Sequence, residues 1–251
     1  MSFKISIITV TYNAENFIEK TINSIINQSY KNIELIIIDG ESKDDTLKII
    51  KNYSQHINIL VSEKDSGIYD AMNKGINLAT GDFITFLNAG DDYINNNVLF
   101  NLFENLDKDT NIVYADHISI LNGKEKYRKA KKFNKNNLFK FLTTTVCHQA
   151  IFVKKEIAPK YNLKYKLKGE LNWYFDILEN TNIKFLHKKM PIVYYLRGGV
   201  GETKYILNLK EILKVLYSHG GIVGVLKAYK FLIKYFIKIL FIITGRYKFE
   251  N

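Results

Sequence analysis

The chain has 251 residues, of which 47% are hydrophobic and 24% charged, with one cysteine and a net charge of +11. These values exclude a disordered chain and an internal disulfide, and the length suits one sizeable core or a core with a small appendage. The charge is uneven: residues 204–251 carry nine Lys or Arg against two Glu, a net +7, so a basic tail on a balanced body is favoured over an evenly basic nucleic-acid binder.

In chain order, KISIITV (4–10) reads as a buried strand and AENFIEKTINSIINQ (14–28) as a helix with Ile18, Ile22, Ile25 and Ile26 on one side. IELIIIDG (33–40) is a second strand, apolar throughout as expected when both sheet faces are covered. SKDDTLKIIKNY (42–53) predicts a helix with Ser42 or Asp44 as N-cap. INILVSE (57–63), GIYDAMNKGINLAT (67–80) and GDFITFLNAG (81–90) continue as strand, helix and strand. Such alternation predicts an α/β fold, a mostly parallel sheet with helices on both faces, whose ligands bind beyond the carboxyl ends of the strands.

Further on, NIVYADHISI (111–120) predicts a strand, Asn122-Gly123 a turn, and residues 124–135 a basic loop. LTTTVCHQAIFVKK (142–155) places Cys147 and His148 at the start of a strand. KLKGELNWYFDILEN (166–180) predicts a helix opened near Gly169, with Asp176 solvated. IKFLHKKMPIVYYLRGGVG (183–201) predicts a strand pair, or a strand and an extended segment, closed by a glycine-rich turn at 198–201.

The strand ends collect acids: Asp39, then Glu63 and Asp65, then Asp91 and Asp92 in FLNAGDDY (86–93). Adjacent carboxylates repel unless a cation or solvent relieves them. Mg²⁺ and Mn²⁺ favour one or two carboxylates together with phosphate oxygens and water, so this loop suits a metal–diphosphate complex; a hydrated turn is the alternative. A Walker-type phosphate loop and a G-x-G-x-x-G sequence after the first strand are both absent.

ISIITVTYNAENFIEKTINSIINQSYKNIELIIIDGESKDDT, followed by DSGIYDAMNKGINLATGDFITFLNAGDDY, resembles the inverting GT-A glycosyltransferases of family 2. The resemblance is close over about the first hundred residues and looser to about residue 200. It implies a GT-A fold with a Rossmann-like nucleotide-binding half at 1–116, an acceptor half at 117–203 and a helical tail at 204–251. It implies a nucleoside-diphosphate sugar as donor, usually a UDP-sugar, bordered by Thr11, Tyr12 and Glu15. Asp39 matches the family's base-contacting aspartate, and Asp65 lies where the family lines the nucleoside pocket. FLNAGDDY resembles the D-x-D-like metal motif with Asn88 at its first acidic position; Asp91 matches the metal ligand best, Asp92 next, with Mn²⁺ or Mg²⁺ as cofactor.

The family's base lies on a later helix, which implies Glu170 in GELNWYF; a helix-start acid favoured by the macrodipole is the alternative. His148 in CHQAIF resembles a His-Gln pair near sugar or acceptor, or is structural. The implied reaction is a single displacement with inversion; a non-catalytic nucleotide-sugar-binding protein is the alternative.

In IVGVLKAYKFLIKYFIKILFIITGRYK (222–248), Lys227, Lys230, Lys234 and Lys238 fall within an arc of about 80° on one continuous helix. Spanning a bilayer would bury two of them at about 2.5 to 3.5 kcal/mol each. An in-plane helix on an anionic membrane avoids that cost; packing on the protein's own core is the other reading. Together with the lone cysteine and an N-terminus without a secretory-signal pattern, this predicts a cytoplasmic protein, peripheral on the inner membrane face. The expected acceptor is a polyprenyl-diphosphate-linked saccharide, and no nucleic acid is expected as partner.

Overall fold

The computed structural model describes residues 2–179, 182–198 and 204–243. Its first half builds β1 (Ile5–Thr11), α1 (Ile18–Ile26), β2 (Ile33–Asp39), α2 (Thr46–Lys51), β3 (Ile59–Ser62), α3 (Ile68–Leu78) and β4 (Phe83–Phe86). The second half adds β5 (Asp92–Tyr93), α4 (Val98–Phe103), β6 (Ile112–Leu121), β7 (Lys124–Arg128), α5 (Lys135–Phe141) and β8 (Ile151–Lys154). It closes with α6 (Gly169–Ile177), β9 (Phe185–Leu196), α7 (Tyr205–Lys227) and α8 (Tyr229–Ile243).

Nine strands form one sheet in the order β3-β2-β1-β4-β8-β6-β9-β5, with β7 paired to β6. β3, β2, β1 and β4 are mutually parallel; β8 joins β4 and β6 antiparallel, and β9 runs parallel to β6. Successive strand residues face opposite sides, and in β1 and β2 both sides are buried. Ile8, Val10, Ile36 and Ile38 pack under α3, α5, α6 and α7. Ile5, Ile7, Leu35 and Ile37 pack under α1, α2 and α4. That double cover is why these strands read as unbroken isoleucine runs.

Several expectations are corrected. α2 starts at Thr46 with Asp45 as N-cap, because the Ser42 hydroxyl is engaged by Asp39 at 2.5 Å while Asp44 accepts from Thr46 N at 3.0 Å. The basic stretch after Asn122-Gly123 is partly strand, β7, hairpin-paired to β6. Residues 148–150 form a helical turn before β8. Residues 185–196 are one long strand with irregular register opposite Asp116, where Pro191, lacking an N–H to donate, is accommodated. Residue 116, where the two halves of one domain are expected to meet, lies in β6 of the shared sheet. The tail is two helices, interrupted at Gly221 (φ 55°) and again at Ala228. Lys227 therefore ends α7 while Lys230 lies on α8, and one arc does not hold all four lysines. The side chains of Lys234 and Lys238, and most of the 198–201 turn, lie outside the described residues.

Candidate active site

Three groups of side chains gather at the carboxyl ends of β1, β2, β3 and β4. The first lies beyond β1 and β2. Asp39 is fully buried and accepts from Ser42 N (3.0 Å), Ser42 Oγ (2.5 Å) and Ser62 Oγ (2.7 Å). The loops after β1 and β2 are stitched to each other. Asn13 N donates to Ser42 Oγ, Lys43 N to Asn13 Oδ1, Ala14 N to Thr46 Oγ1, and Asp45 N to Glu15 Oε2. Glu15 is thus a loop fastener here. Tyr12 is 61% exposed and Thr11 buried, its hydroxyl oxygen without a partner. Gly40 lies between Tyr12 and Asp65: a Cβ there would come within 2.7 Å of an Asp65 carboxylate oxygen and 3.3 Å of the Tyr12 ring. A glycine is what lets these two side chains approach the backbone here so closely.

The second group follows β4. Asp91 is 4% exposed; its Oδ1 accepts from Leu196 N at 2.9 Å, and the Gln149 side chain hydrogen-bonds it. Burial outweighs those two hydrogen bonds, and with the neighbouring Asp92 charge it pushes the Asp91 carboxyl up to about 7. Asp92 differs: on β5 its buried Oδ1, without a hydrogen-bond partner, lies 2.7 Å from the Nζ of Lys20, a largely exposed side chain of α1. Asn88 Oδ1 is buried without a partner. The oxygens of this loop that suit a hard divalent cation are the Asp91 carboxylate and the unpartnered Oδ1 atoms of Asn88 and Asp92. Asp92 stays the second candidate ligand after Asp91, with Lys20 offsetting part of its charge.

The third group surrounds Glu170, half-buried at the start of α6, where Tyr69 Oη donates to its Oε2 at 2.5 Å. Gly169 permits this contact, since a Cβ there would meet the Tyr69 ring at 2.7 Å. Tyr69 stacks on Tyr161 (5.2 Å), and Tyr161 on Trp173 (5.2 Å). His148 faces Tyr161 Oη at 2.5 Å and stacks on Phe86. Burial drops His148 to about 4 despite the opposing pull of the Glu170 charge, so the ring is neutral at pH 7.

The turn at 147–149 joins the second and third groups. Burial raises the Cys147 thiol pKa far above its ordinary value, and the charges of both Asp91 and Glu170 add to the rise. Asp91 is tied to this turn directly through Gln149, and Glu170 through Tyr69, whose ring stacks on the Tyr161 that bonds His148. Gln149, which reaches Asp91, stands out in the sequence only as the second member of the His-Gln pair, and Lys20 and Tyr69 do not stand out there.

The family model described as Glycosyl transferase family 2 matches residues 6–161. The chain belongs to that family. A PGL/p-HBAD biosynthesis glycosyltransferase of Mycobacterium tuberculosis is 30% identical over 220 residues, covering 84% of this chain and 83% of the relative. An uncharacterized glycosyltransferase of Haemophilus influenzae is 35% identical over 222 residues, covering 80% and 83%. Escherichia coli WfgD, a UDP-Glc:alpha-D-GlcNAc-diphosphoundecaprenol beta-1,3-glucosyltransferase, is 26% identical over 188 residues, covering 74% of each chain. Among solved structures, Staphylococcus aureus TarS 1–349 in complex with UDP-GlcNAc aligns at TM-score 0.68 and 16% identity, covering 86% of this chain and 67% of that one. Against the longer TarS chain the coverage is 40%. Pyrobaculum calidifontis PcManGT, in complex with GDP-Man and Mn²⁺, aligns at TM-score 0.63 and 15% identity, covering 87% and 64%.

The GT-A architecture and the transferase class expected from the sequence are thus confirmed, and an enzyme is favoured over a non-catalytic binder. Within this family 2 transferase the matched region stops at residue 161, short of Glu170. At the far end of α6, Asp176, Glu179 and His219 place ligand-type atoms within 4.8 Å of one another. Both ring nitrogens of His219 already face partners, Glu179 at 3.2 Å and Asn172 at 3.1 Å. Asp176 is therefore networked and not simply solvated. In the tail, no helix among the described residues is long and apolar enough to cross a membrane. Ala228, Phe231 and Leu232 pack one side of the tail on the core, while Ile222, Leu226, Ile233 and Phe236 stay exposed beside exposed Lys227 and Lys230.

Proposed function

We propose that this glycosyltransferase moves a hexosyl or N-acetylhexosaminyl group from a UDP-sugar, with inversion, to a hydroxyl of a polyprenyl-diphosphate-linked saccharide. The observation that carries the reading is a pair of carboxylates connected to the Cys147–Gln149 turn, Asp91 buried and bonded by Gln149, and Glu170 held by Tyr69, which stacks on the Tyr161 that bonds His148.

Residues 1–116 form the donor half. Tyr12 and Asp65 flank the nucleoside cleft, with Thr11 at its edge, Asp39 supporting its floor and Glu15 fixing its rim. Asp91, with the Asn88 oxygen, would hold Mn²⁺ or Mg²⁺, which when bound neutralises charge on the diphosphate. Residues 117–203 form the acceptor half. Glu170, its rotamer fixed by Tyr69, accepts the proton of the acceptor hydroxyl as that oxygen attacks the anomeric carbon. The bond from that carbon to the diphosphate oxygen breaks on the opposite face, and its electron pair leaves with UDP. His148, neutral and clamped by Tyr161, walls this pocket and leaves Glu170 as the base.

Support for the donor and acceptor comes from WfgD, named for a UDP-sugar and a diphosphoundecaprenol-linked acceptor, and from TarS crystallised with UDP-GlcNAc. PcManGT, crystallised with GDP-Man, is the reason to include GDP-mannose in a screen. The exposed apolar and basic outer surface of residues 222–237 supports docking on an anionic cytoplasmic leaflet.

The test is a panel of nucleotide sugars scored for UDP or GDP release, with and without lipid-linked acceptors, in Mn²⁺ and in excess EDTA. Metal-dependent release stimulated by lipid-linked acceptor is expected, and Glu170→Gln is expected to lower transfer about 10²- to 10⁴-fold with nucleotide affinity unchanged. Full turnover in EDTA would remove the metal, and unaltered transfer by Glu170→Gln would remove the base.

A further inference from the structure

The helix that presents Glu170 is held at both ends by α7. At its entry, the Glu211 carboxylate, 4% exposed, accepts three consecutive backbone N–H groups: Lys166 N on Oε1 at 2.8 Å, and Leu167 N and Lys168 N on Oε2 at 2.8 and 2.9 Å. Lys168 is the N-cap of α6, and Glu170 follows two residues later. At its exit, His219 reaches Asn172 Oδ1 (3.1 Å), Asp176 Oδ1 (3.5 Å) and Glu179 Oε1 (3.2 Å), and its ring stacks on Phe175 at 4.9 Å.

The spacings agree. Eight residues separate Glu211 from His219 on α7, and eight separate Lys168 from Asp176, about 12 Å of helical rise in each case. The two helices run the same way, and Ile212, Val215 and Leu216 of α7 are buried between the anchors. No side chain caps the N-terminus of α6, so the loop's orientation is set from outside its own helix. Three amide N–H groups turned toward one buried carboxylate also make this contact costly to lose, since each would need another acceptor.

We propose that α7 is a splint for α6, and that Glu211 is a positioning residue for the Glu170 carboxylate. The proposal rests on the reading of Glu170 as base. The C-terminal helices then do more than extend the fold: they set where a proton is accepted. An entry loop freed from Glu211 lets Gly169 and Glu170 shift against Tyr69, and displacements of about 1 Å in a catalytic group are enough to cost on the order of a hundredfold.

The experiment places Glu211→Ala and Glu211→Gln in the wild type and in Glu170→Gln, and measures kcat, donor KM, melting temperature and hydrogen exchange at amides 166–168 in the full chain. For Glu211→Ala the expected result is a kcat reduced about 10- to 100-fold with donor KM within about twofold and faster exchange at those amides. Glu211→Gln, which keeps one acceptor oxygen, is expected to be intermediate, and serves if the alanine variant does not fold. In the Glu170→Gln background, either substitution is expected to lower residual kcat less than about twofold, since the group being positioned is already gone. Unchanged kcat in folded Glu211→Ala overturns the proposal, and so does a loss that adds fully to that of Glu170→Gln. If Glu170→Gln itself turns over normally, the base assignment falls alone, and exchange at 166–168 still decides the splint: unchanged protection overturns it.

Discussion

Asp39 and Asp91 are both buried carboxylates at the same edge of one sheet, on β2 and beyond β4, with β1 between them. Asp39 accepts from a backbone N–H and two serine hydroxyls, all supplied within its own half of the sheet. Asp91 has one backbone N–H and a glutamine amide, both from distant segments, and burial still pushes it up to about 7. The difference separates a carboxylate that builds the frame from one that the frame leaves short of positive charge. Lys20, whose Nζ lies 2.7 Å from Asp92 Oδ1, is paired with the neighbouring acid.

The largest expected effect lies in exchanging these two acids for their amides. Asp91→Asn is expected to lower transfer about 10²- to 10³-fold while leaving the fold intact. Asp39→Asn places an amide N–H₂ against donors, and is expected to destabilise by about 1–3 kcal/mol. Chemical denaturation alongside steady-state rates checks both. Matched losses of stability in the two variants would erase the distinction.

The second effect is the pH dependence that Asp91 contributes. Its carboxyl is raised from 3.8 to about 7, so between those values the folded protein keeps a proton that the unfolded chain has released. Asp91 therefore contributes a stability to the metal-free protein that falls as pH rises from about 4 to 7, on the order of 4 kcal/mol in all. His148 and His117, both lowered to about 4 by burial, contribute in the opposite sense between about pH 4 and 6.5, so the comparison with Asp91→Asn is what isolates the carboxylate. Glu34, lowered to about 2 by its hydrogen bonds to Lys4, Ser6 and Thr80 against the effect of burial, also acts opposite to Asp91 and only below about pH 4.5. Thermal melts of wild type and Asp91→Asn in EDTA should diverge between pH 5 and 7. Mn²⁺ should stabilise the wild type more at pH 8 than at pH 5, because ligands must be deprotonated.

This contrast also marks what the sequence could disclose. The β-α-β run was legible because double-sided burial demands continuous Ile and Leu in β1 and β2, and the strand-end acids followed from it. β5, two residues long, carries no periodic signal. The partners of Asp91 come from Gln149 and Leu196, brought in by β8 and β9, and no local pattern fixes such long-range pairing. The break that divides the lysines falls at Ala228, which is buried against the core between α7 and α8, and an alanine carries no local breaking signal in the sequence.

A smaller effect tests whether the Asp39 side of the sheet serves the donor alone. Gly40→Ala sets a methyl 2.7 Å from the Asp65 carboxylate and 3.3 Å from Tyr12. Both are side chains able to rotate, so the fold should survive with the cleft narrowed. Donor KM is expected to rise about tenfold with kcat changed less than about threefold, as for loss of uniform binding. A fall in kcat at unchanged KM would place residue 40 with the reacting groups instead.

The smallest effect concerns the tail, where the frame meets whatever holds the acceptor. Ile222 and Leu226 are 69% and 62% exposed, so Ile222→Asp with Leu226→Asp removes apolar surface without opening the core. Release of UDP in solution should stay within about twofold of wild type, since exposed sites away from the sheet edge rarely shift stability by more than about 0.5 kcal/mol. Binding to vesicles containing anionic lipid should weaken, as should that of Lys227→Glu with Lys230→Glu, by about 1 kcal/mol for each basic residue lost. Raising salt should weaken the wild type and narrow its gap to the lysine variant, because screening acts on the charges and spares the apolar contacts. Equal vesicle binding by all three proteins would show that residues 222–237 do not face the bilayer, and the acceptor would then have to reach the site by another surface.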